Sequence, residues 1–209
     1  MSRWGDPIEP IAVSDSYFDQ YRDQLPRFML DVWREVGFAG FSDGMLWICD
    51  PHYWQPIVDA WLDQTDLPTA YLGNHIPLFR TAYGKIYCFT PGLGQKIDIN
   101  PTLSRIALFR PEILPGQEWI DRGVSDILTL PPNQFLVHPD YPTEGGNPQE
   151  DMFADILDRL GPTSHSTIYT FHPSLPEGGD LDADQAILSE ATAELLRLRS
   201  LQNPKISTY

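Results

Sequence analysis

Between Thr69 and Phe109 the chain reads as five short segments rich in β-branched and aromatic residues: 69–72, 78–83, 85–90, 95–99 and 105–109. Glycine or proline separates each from the next, and side chains of this kind suit a pleated, half-buried surface. Tyr83-Gly84-Lys85 and Pro91-Gly92-Leu93-Gly94 are good hairpin connections. An antiparallel sheet follows, and whatever else the chain forms must cover it. The Gly92-x-Gly94-x-Lys96 fragment has neither the full spacing of a phosphate loop nor a helix after it, so it reads as a hairpin turn.

The flanking sequence supplies the cover. Leu25, Phe28, Met29, Val32 and Val36 recur at helical spacing, which predicts a helix over 25–36 with Pro26 in its first turn and Gly37 as its stop. Ser14 or Ser16 can cap a short helix through Tyr17, Phe18 and Tyr21, while residues 1–14 are proline-rich and extended. The apolar run Met45 to Cys49 predicts a buried strand closed by Asp50-Pro51. Trp54, Ile57, Val58, Trp61 and Leu62 then predict a helix over 53–64.

Further helices are expected over 116–129, 149–160 and 182–201, with a strand at 167–171. The loop 133–149 is rich in proline and glycine and marks a boundary between parts 1–135 and 149–209, which can also close into one compact unit. The fold class expected is α+β: a central, mainly antiparallel sheet flanked by helices, with a smaller helix-strand-helix C-terminal part.

Gly40-Phe41-Ser42-Asp43-Gly44 has the G-x-S-x-G pattern of a hydrolase nucleophile elbow. Such an elbow needs a strand before the serine and a helix after it. Here a helix is expected before and a strand after, which would set Ser42 against the negative end of a helix dipole and disfavour an alkoxide. The turn therefore reads as a glycine-rich connection whose Ser42 or Asp43 bonds local backbone. A serine hydrolase using Ser42 with a distant histidine and acid stays as the competing reading, and reactivity of Ser42 toward a fluorophosphonate probe discriminates the two.

Charge points elsewhere. The net charge is −15, from 29 acidic and 14 basic side chains, and a surface that negative repels phosphate backbones and anionic membranes. From Asp140 to Glu190 there are eleven acids against Arg159 alone, so ten of the fifteen net charges fall in about a quarter of the chain. Such a concentration can steer a basic protein partner. The eight acids singled out for that role are Glu150, Asp151, Asp155, Asp158, Glu177, Asp180, Asp182 and Asp184.

Cys49 and Cys88 lie in apolar runs and read as buried thiols, not as a disulfide framework. His52, His75, His138, His165 and His172 show no metal-ligand spacing, so neither a metal nor a cofactor is expected. Trp47, Trp54 and Trp61 recur every seven residues but cross from strand to helix, which indicates core packing. The N-terminus has no apolar core of signal-peptide length and no window approaches a membrane span, so a cytoplasmic protein is expected.

Two stretches resemble known families. Gly37 through Pro51, the helix from Tyr53 to Leu62 and the Arg80-Thr-Ala-Tyr-Gly-Lys-Ile-Tyr87 turn look like the GAD-like domain, named for its relation to a tRNA-amidotransferase-associated module. The second runs from Met152-Phe153 through Leu160-Gly161-Pro162 to Tyr169-x-Phe171-x-Pro173-x-Leu175, Gly178-Gly179 and the closing leucine-rich helix. It is similar to the C-terminal domain of bacterial type VI secretion immunity proteins that protect against DNase effectors. Pro176-Glu177 departs from the small apolar residue and leucine usual before the paired glycines. The resemblance implies a bacterial immunity protein that binds and silences a cognate toxin, a nuclease, with no catalysis of its own. A housekeeping interaction module without a toxin is the third reading.

Overall fold

The structure, a computed structural model, describes residues 4–110, 117–129 and 148–209, with side chains from Gly123 in the second stretch and from Met152 in the third. Its frame is an eight-stranded sheet. Strands β1 (Ile8–Ile11), β2 (Phe38–Phe41), β3 (Leu46–Ile48), β4 (Ile76–Thr81), β5 (Ile86–Thr90), β6 (Gly94–Asn100) and β7 (Arg105–Leu108) follow one another in space as in sequence, each antiparallel to the last. A tenth strand, β10 (Lys205–Thr208), returns at the end of the chain and adds parallel to β7. The mixed α+β class with a mainly antiparallel sheet is as expected.

Alternation divides the core between two faces. Along β5, Tyr87 and Phe89 join one apolar cluster and Ile86 and Cys88 the other. The first cluster is closed by α2 (Arg27–Val36), through Met29, Leu30, Val32 and Trp33, and by α4 (Gln117–Thr129), through Val124, Ile127 and Leu128. The second is closed by α3 (Pro51–Leu62), through Trp54, Ile57, Val58 and Trp61, and by α6 (Ala191–Leu201), through Ala191, Leu195 and Leu198. The short α1 (Asp15–Tyr21) packs Tyr17 and Tyr21 edge-on against Trp33.

Local chemistry sets the boundaries. Pro26 stands at the N-cap of α2 and not inside it, so the helix starts two residues later than Leu25. Gly37 ends it at φ +70°, where a β-carbon would meet the carbonyl oxygen of Ile11 at 2.2 Å, so only glycine fits. Asp50 accepts the amide of His52 at 2.9 Å and caps α3, which therefore begins at Pro51, two residues before the predicted start. Between β5 and β6 the Lys85 ammonium meets the buried Asp98 carboxylate at 2.8 Å, and Gln95 donates to the same carboxylate at 2.6 Å. Burial pulls the Lys85 pKa down, but the Asp98 charge outweighs it and the net shift is upward.

Four expectations are corrected. Residues 69–72 are not a strand: Thr69–Tyr71 is a single 3-10 turn that follows Pro68 and buries only Tyr71, leaving Leu72 62% exposed. Phe38–Phe41 is not part of a turn but a fully buried strand. The proline-rich start is not merely extended, because Ile8–Ile11 pairs with β2. The predicted helix 182–201 is a 3-10 turn (Ala183–Gln185), a strand β9 (Ala186–Glu190) and then α6. The helix expected over 116–129 is found as Gln117–Thr129, and the loop expected over 133–149 lies outside the described residues up to 147.

Candidate functional site

Beyond residue 148 the chain builds a second, smaller layer. Helix α5 (Pro148–Leu160) is followed by β8 (Thr167–Phe171), which pairs antiparallel with β9, and α6 follows directly. Met152, Phe153 and Ile156 of α5 pack on Tyr169, Phe171 and Ala186 of this two-stranded sheet. Tyr83, from the β4–β5 turn, stacks on Phe171 at 6.0 Å between ring centres, so the large sheet contributes to the small core. Burial raises the pKa of Tyr169 to about 12, and its hydroxyl donates to the Gly161 carbonyl at 2.5 Å, just beyond the end of α5.

The seam between the layers carries an unusual group. Arg80 on β4 is fully buried, with its guanidinium 5.1 Å from the ring centres of both Trp47 and Trp54. It donates to the carbonyls of Thr81 and Ser164, while its Nε has no partner, and burial pushes its pKa down. Thr163 donates to the Gly44 carbonyl and accepts from the Trp47 indole, both at 2.8 Å, and the Tyr169 amide donates to the Ala82 carbonyl at 2.8 Å. On the far face Trp61 donates to the Leu195 carbonyl at 3.1 Å. Arg199 donates to the Ala60 and Asp63 carbonyls, where a cation suits the C-terminal end of α3.

The acids predicted to meet a partner divide into three groups. Asp155 and Asp158 on α5 are exposed, and so are Asp180, Asp182 and Asp184 ahead of β9. Arg159 links the two sets, because its guanidinium donates to the Ala183 and Ala186 carbonyls, so α5 and the 182–184 turn border one seam. Glu177 belongs elsewhere: its carboxylate accepts from the Ser174 hydroxyl and amide and from Arg197 at 3.0 Å. Those bonds, with Ser174 foremost, hold its pKa down at about 2. The side chains of Glu150 and Asp151 lie outside the described residues.

The turn at Pro176-Glu177 is held by local bonds. Ser174 and Glu177 form a capping box around a 3-10 turn with Pro176 in its first positions. Gly179 then passes so close to Pro173 that a β-carbon would stand 1.8 Å from its carbonyl oxygen.

Glu190, not among the predicted acids, anchors the other end of β9. Its carboxylate accepts the amides of Thr192 and Ala193, capping α6, and the Tyr53 hydroxyl at 2.6 Å. Burial pushes its pKa up, but the bonds from Tyr53 and the amides prevail and lower it. Also missed were Ile187 and Leu188, which are 43% and 41% exposed on β9. Two adjacent large apolar residues before a capping acid were the available signal for a strand ending in a helix start.

Ser42 lies in the hairpin turn between β2 and β3, with φ +49°, followed by Asp43 at +55° and Gly44 at +86°. A strand, not a helix, precedes it, so the predicted dipole clash does not arise. Its hydroxyl donates to the Trp4 carbonyl at 3.1 Å and to no imidazole or carboxylate among the described residues. A groove of about 590 Å³ at the C-terminal end of α3 is walled by Asp59, Asp63, Leu67, Leu72 and His75. His75 is tied to the Thr90 hydroxyl at 2.7 Å, and burial, opposed by Asp59, lowers its pKa. Among the described residues no three His, Cys, Asp or Glu side chains gather as a metal site, and no helix is long and apolar enough to cross a membrane.

No curated protein matches the chain. The crystal structure of Atu4351 from Agrobacterium tumefaciens has the same fold, with a TM-score of 0.80 at 20% identity, covering 99% of this chain and 90% of that one. Residues 1–103 match the family described as the GAD-like domain. The matched residues span the sheet from β1 to β6 with α1 to α3 packed on it, so it is this part of the fold that is similar to the GAD-like domain.

Proposed function

We propose that this chain is a non-catalytic interaction protein that binds and neutralises a cognate secreted toxin, a basic nuclease delivered by a type VI secretion system. One observation carries the reading. Asp155, Asp158, Asp182 and Asp184 are exposed around a seam whose only base in sequence, Arg159, is committed to backbone carbonyls. Four carboxylates against one guanidinium leave the field there negative. A nuclease must present a positive groove to DNA, so an acidic face meets it with fast, electrostatically steered association.

The GAD-like match over residues 1–103 is compatible with a protein-interaction module and supports this reading. An interface of ordinary size would take aromatic or aliphatic anchors at its centre and leave the acids at its rim. The test is co-expression with the product of an adjacent gene encoding a nuclease. The expected result is a complex that survives purification, with DNA cleavage suppressed in proportion to the immunity protein added. Undiminished cleavage with this chain in excess overturns the proposal.

A further inference from the structure

We infer that the outer edge of β9 receives an extended, basic segment of the partner as an added strand; this rests on the protein-partner reading above. The register defines which backbone groups are free. The Tyr169 amide points away from β9, toward Ala82, and Tyr169 stands opposite Leu188. In an antiparallel pair both members of such a position turn their backbone groups outward. Leu188 therefore presents its N–H and C=O at the open edge, and Glu190 presents its N–H.

Ala186, two residues before, is already satisfied: its N–H donates to Ala183 and its carbonyl accepts from Arg159. Among the described residues nothing pairs with Leu188 or with the Glu190 amide on that side. The free edge is thus about three hydrogen bonds long, enough for a strand of about four or five residues.

Exposed edges are ordinarily blunted by lysine, proline or a bulge. Ala186-Ile187-Leu188-Ser189-Glu190 has no lysine or proline, and its pairing with β8 runs without a register shift. Instead it exposes Ile187 and Leu188, one on each face of the small sheet, where alternate side chains of an added strand would rest. Charge selects the occupant. Asp182 and Asp184 precede the edge and Asp155 and Asp158 border it from α5, while the chain as a whole carries −15, so a second copy is repelled and a lysine- or arginine-rich strand is attracted.

The experiment uses the full chain, labelled with nitrogen-15, and a blocked peptide of alternating lysine and valine as the probe. A lysine–proline peptide of equal charge is the control, because it cannot supply the strand hydrogen bonds. Expected is slower exchange of the Leu188 and Glu190 amides, by roughly fivefold to tenfold, with the lysine–valine peptide only. Equal protection by both peptides, or protection confined to other amides, overturns the inference.

Two variants guard against a trivial loss. Leu188→Pro removes the outward donor, and Ile187→Lys places a charged blocker on an exposed position without touching the core. Each is expected to weaken peptide binding by roughly tenfold while β8 amide shifts stay in place. The two readings fail separately. If the adjacent-gene nuclease does not bind but the lysine–valine peptide still protects Leu188, the toxin reading falls and the edge stands. If that nuclease binds Ile187→Lys as tightly as the natural chain, the edge falls and the toxin reading stands.

Discussion

Strands β4 and β9 are of similar length and both are rich in apolar residues, yet they have opposite fates. All six residues of β4 are buried, including Arg80, because α3 and the segment before β8 close over what the neighbouring strands leave open. Only Ala186 of β9 is buried, and Ile187 and Leu188 face solvent. A strand buried on both faces spends its apolar surface on stability; an edge strand with exposed isoleucine and leucine holds surface in reserve. The large sheet is thus the scaffold, and the small sheet with its acidic border is the part proposed to meet another protein.

The most forceful way to break that division is at Arg80. Arg80→Ala should cost about 3–5 kcal/mol in urea unfolding, since it empties a fully buried site between two tryptophans and removes the bond to the Ser164 carbonyl. Arg80→Met, which refills the volume without a charge, should recover most of the loss. A cost below about 1 kcal/mol for the alanine variant would mean that β4 is not the rigid half.

A smaller effect is expected where α6 meets α3. Trp61→Phe removes the bond to the Leu195 carbonyl and part of a buried ring, for a loss of about 1–3 kcal/mol in thermal or urea unfolding. Smaller still is the expected cost of Ile187→Ser with Leu188→Ser, within about 0.5 kcal/mol, because both side chains already face water. That double variant sharpens the comparison: it should fold normally and bind a partner poorly, the inverse of Arg80→Ala.

The weakest signal is a pH effect. Glu177 has its pKa lowered from 4.5 to about 2 in the folded chain, so its contribution is complete above pH 4.5 and is lost as the pH falls toward 2. Glu177→Gln should flatten that part of the acid-unfolding curve without changing stability's pH dependence above pH 5. The group is exposed, so solvent screening keeps the effect small.

Sequence alone revealed the middle of the scaffold well. The hairpins at Gly84 and Gly92, the stop at Gly37 and the tryptophan-lined α3 rest on local signals, namely turn residues and helical periodicity. Both edges of the sheet escaped, because β1 contains a proline and β10 has only Ile206 as a large apolar residue; each is a strand through its partner's register and not its own pattern. At the candidate site the exposed acids on α5 were legible from the helical period of Met152, Phe153 and Ile156. Strand β9 was not, because Leu188, Ala191, Leu195 and Leu198 recur at a spacing that suits one continuous helix. Glu177 could be seen as an acid but not as the partner of Ser174 and Arg197, which only the tertiary fold brings together.

The most direct test of the scaffold-and-face account is the association rate with the adjacent-gene nuclease at low salt, measured for the natural chain and for Asp155→Asn, Asp158→Asn, Asp182→Asn and Asp184→Asn combined. Predicted is a fall in association rate of about tenfold or more, with a shallower salt dependence and a folded chain of unchanged stability. An association rate equal to that of the natural chain across the salt series would contradict it.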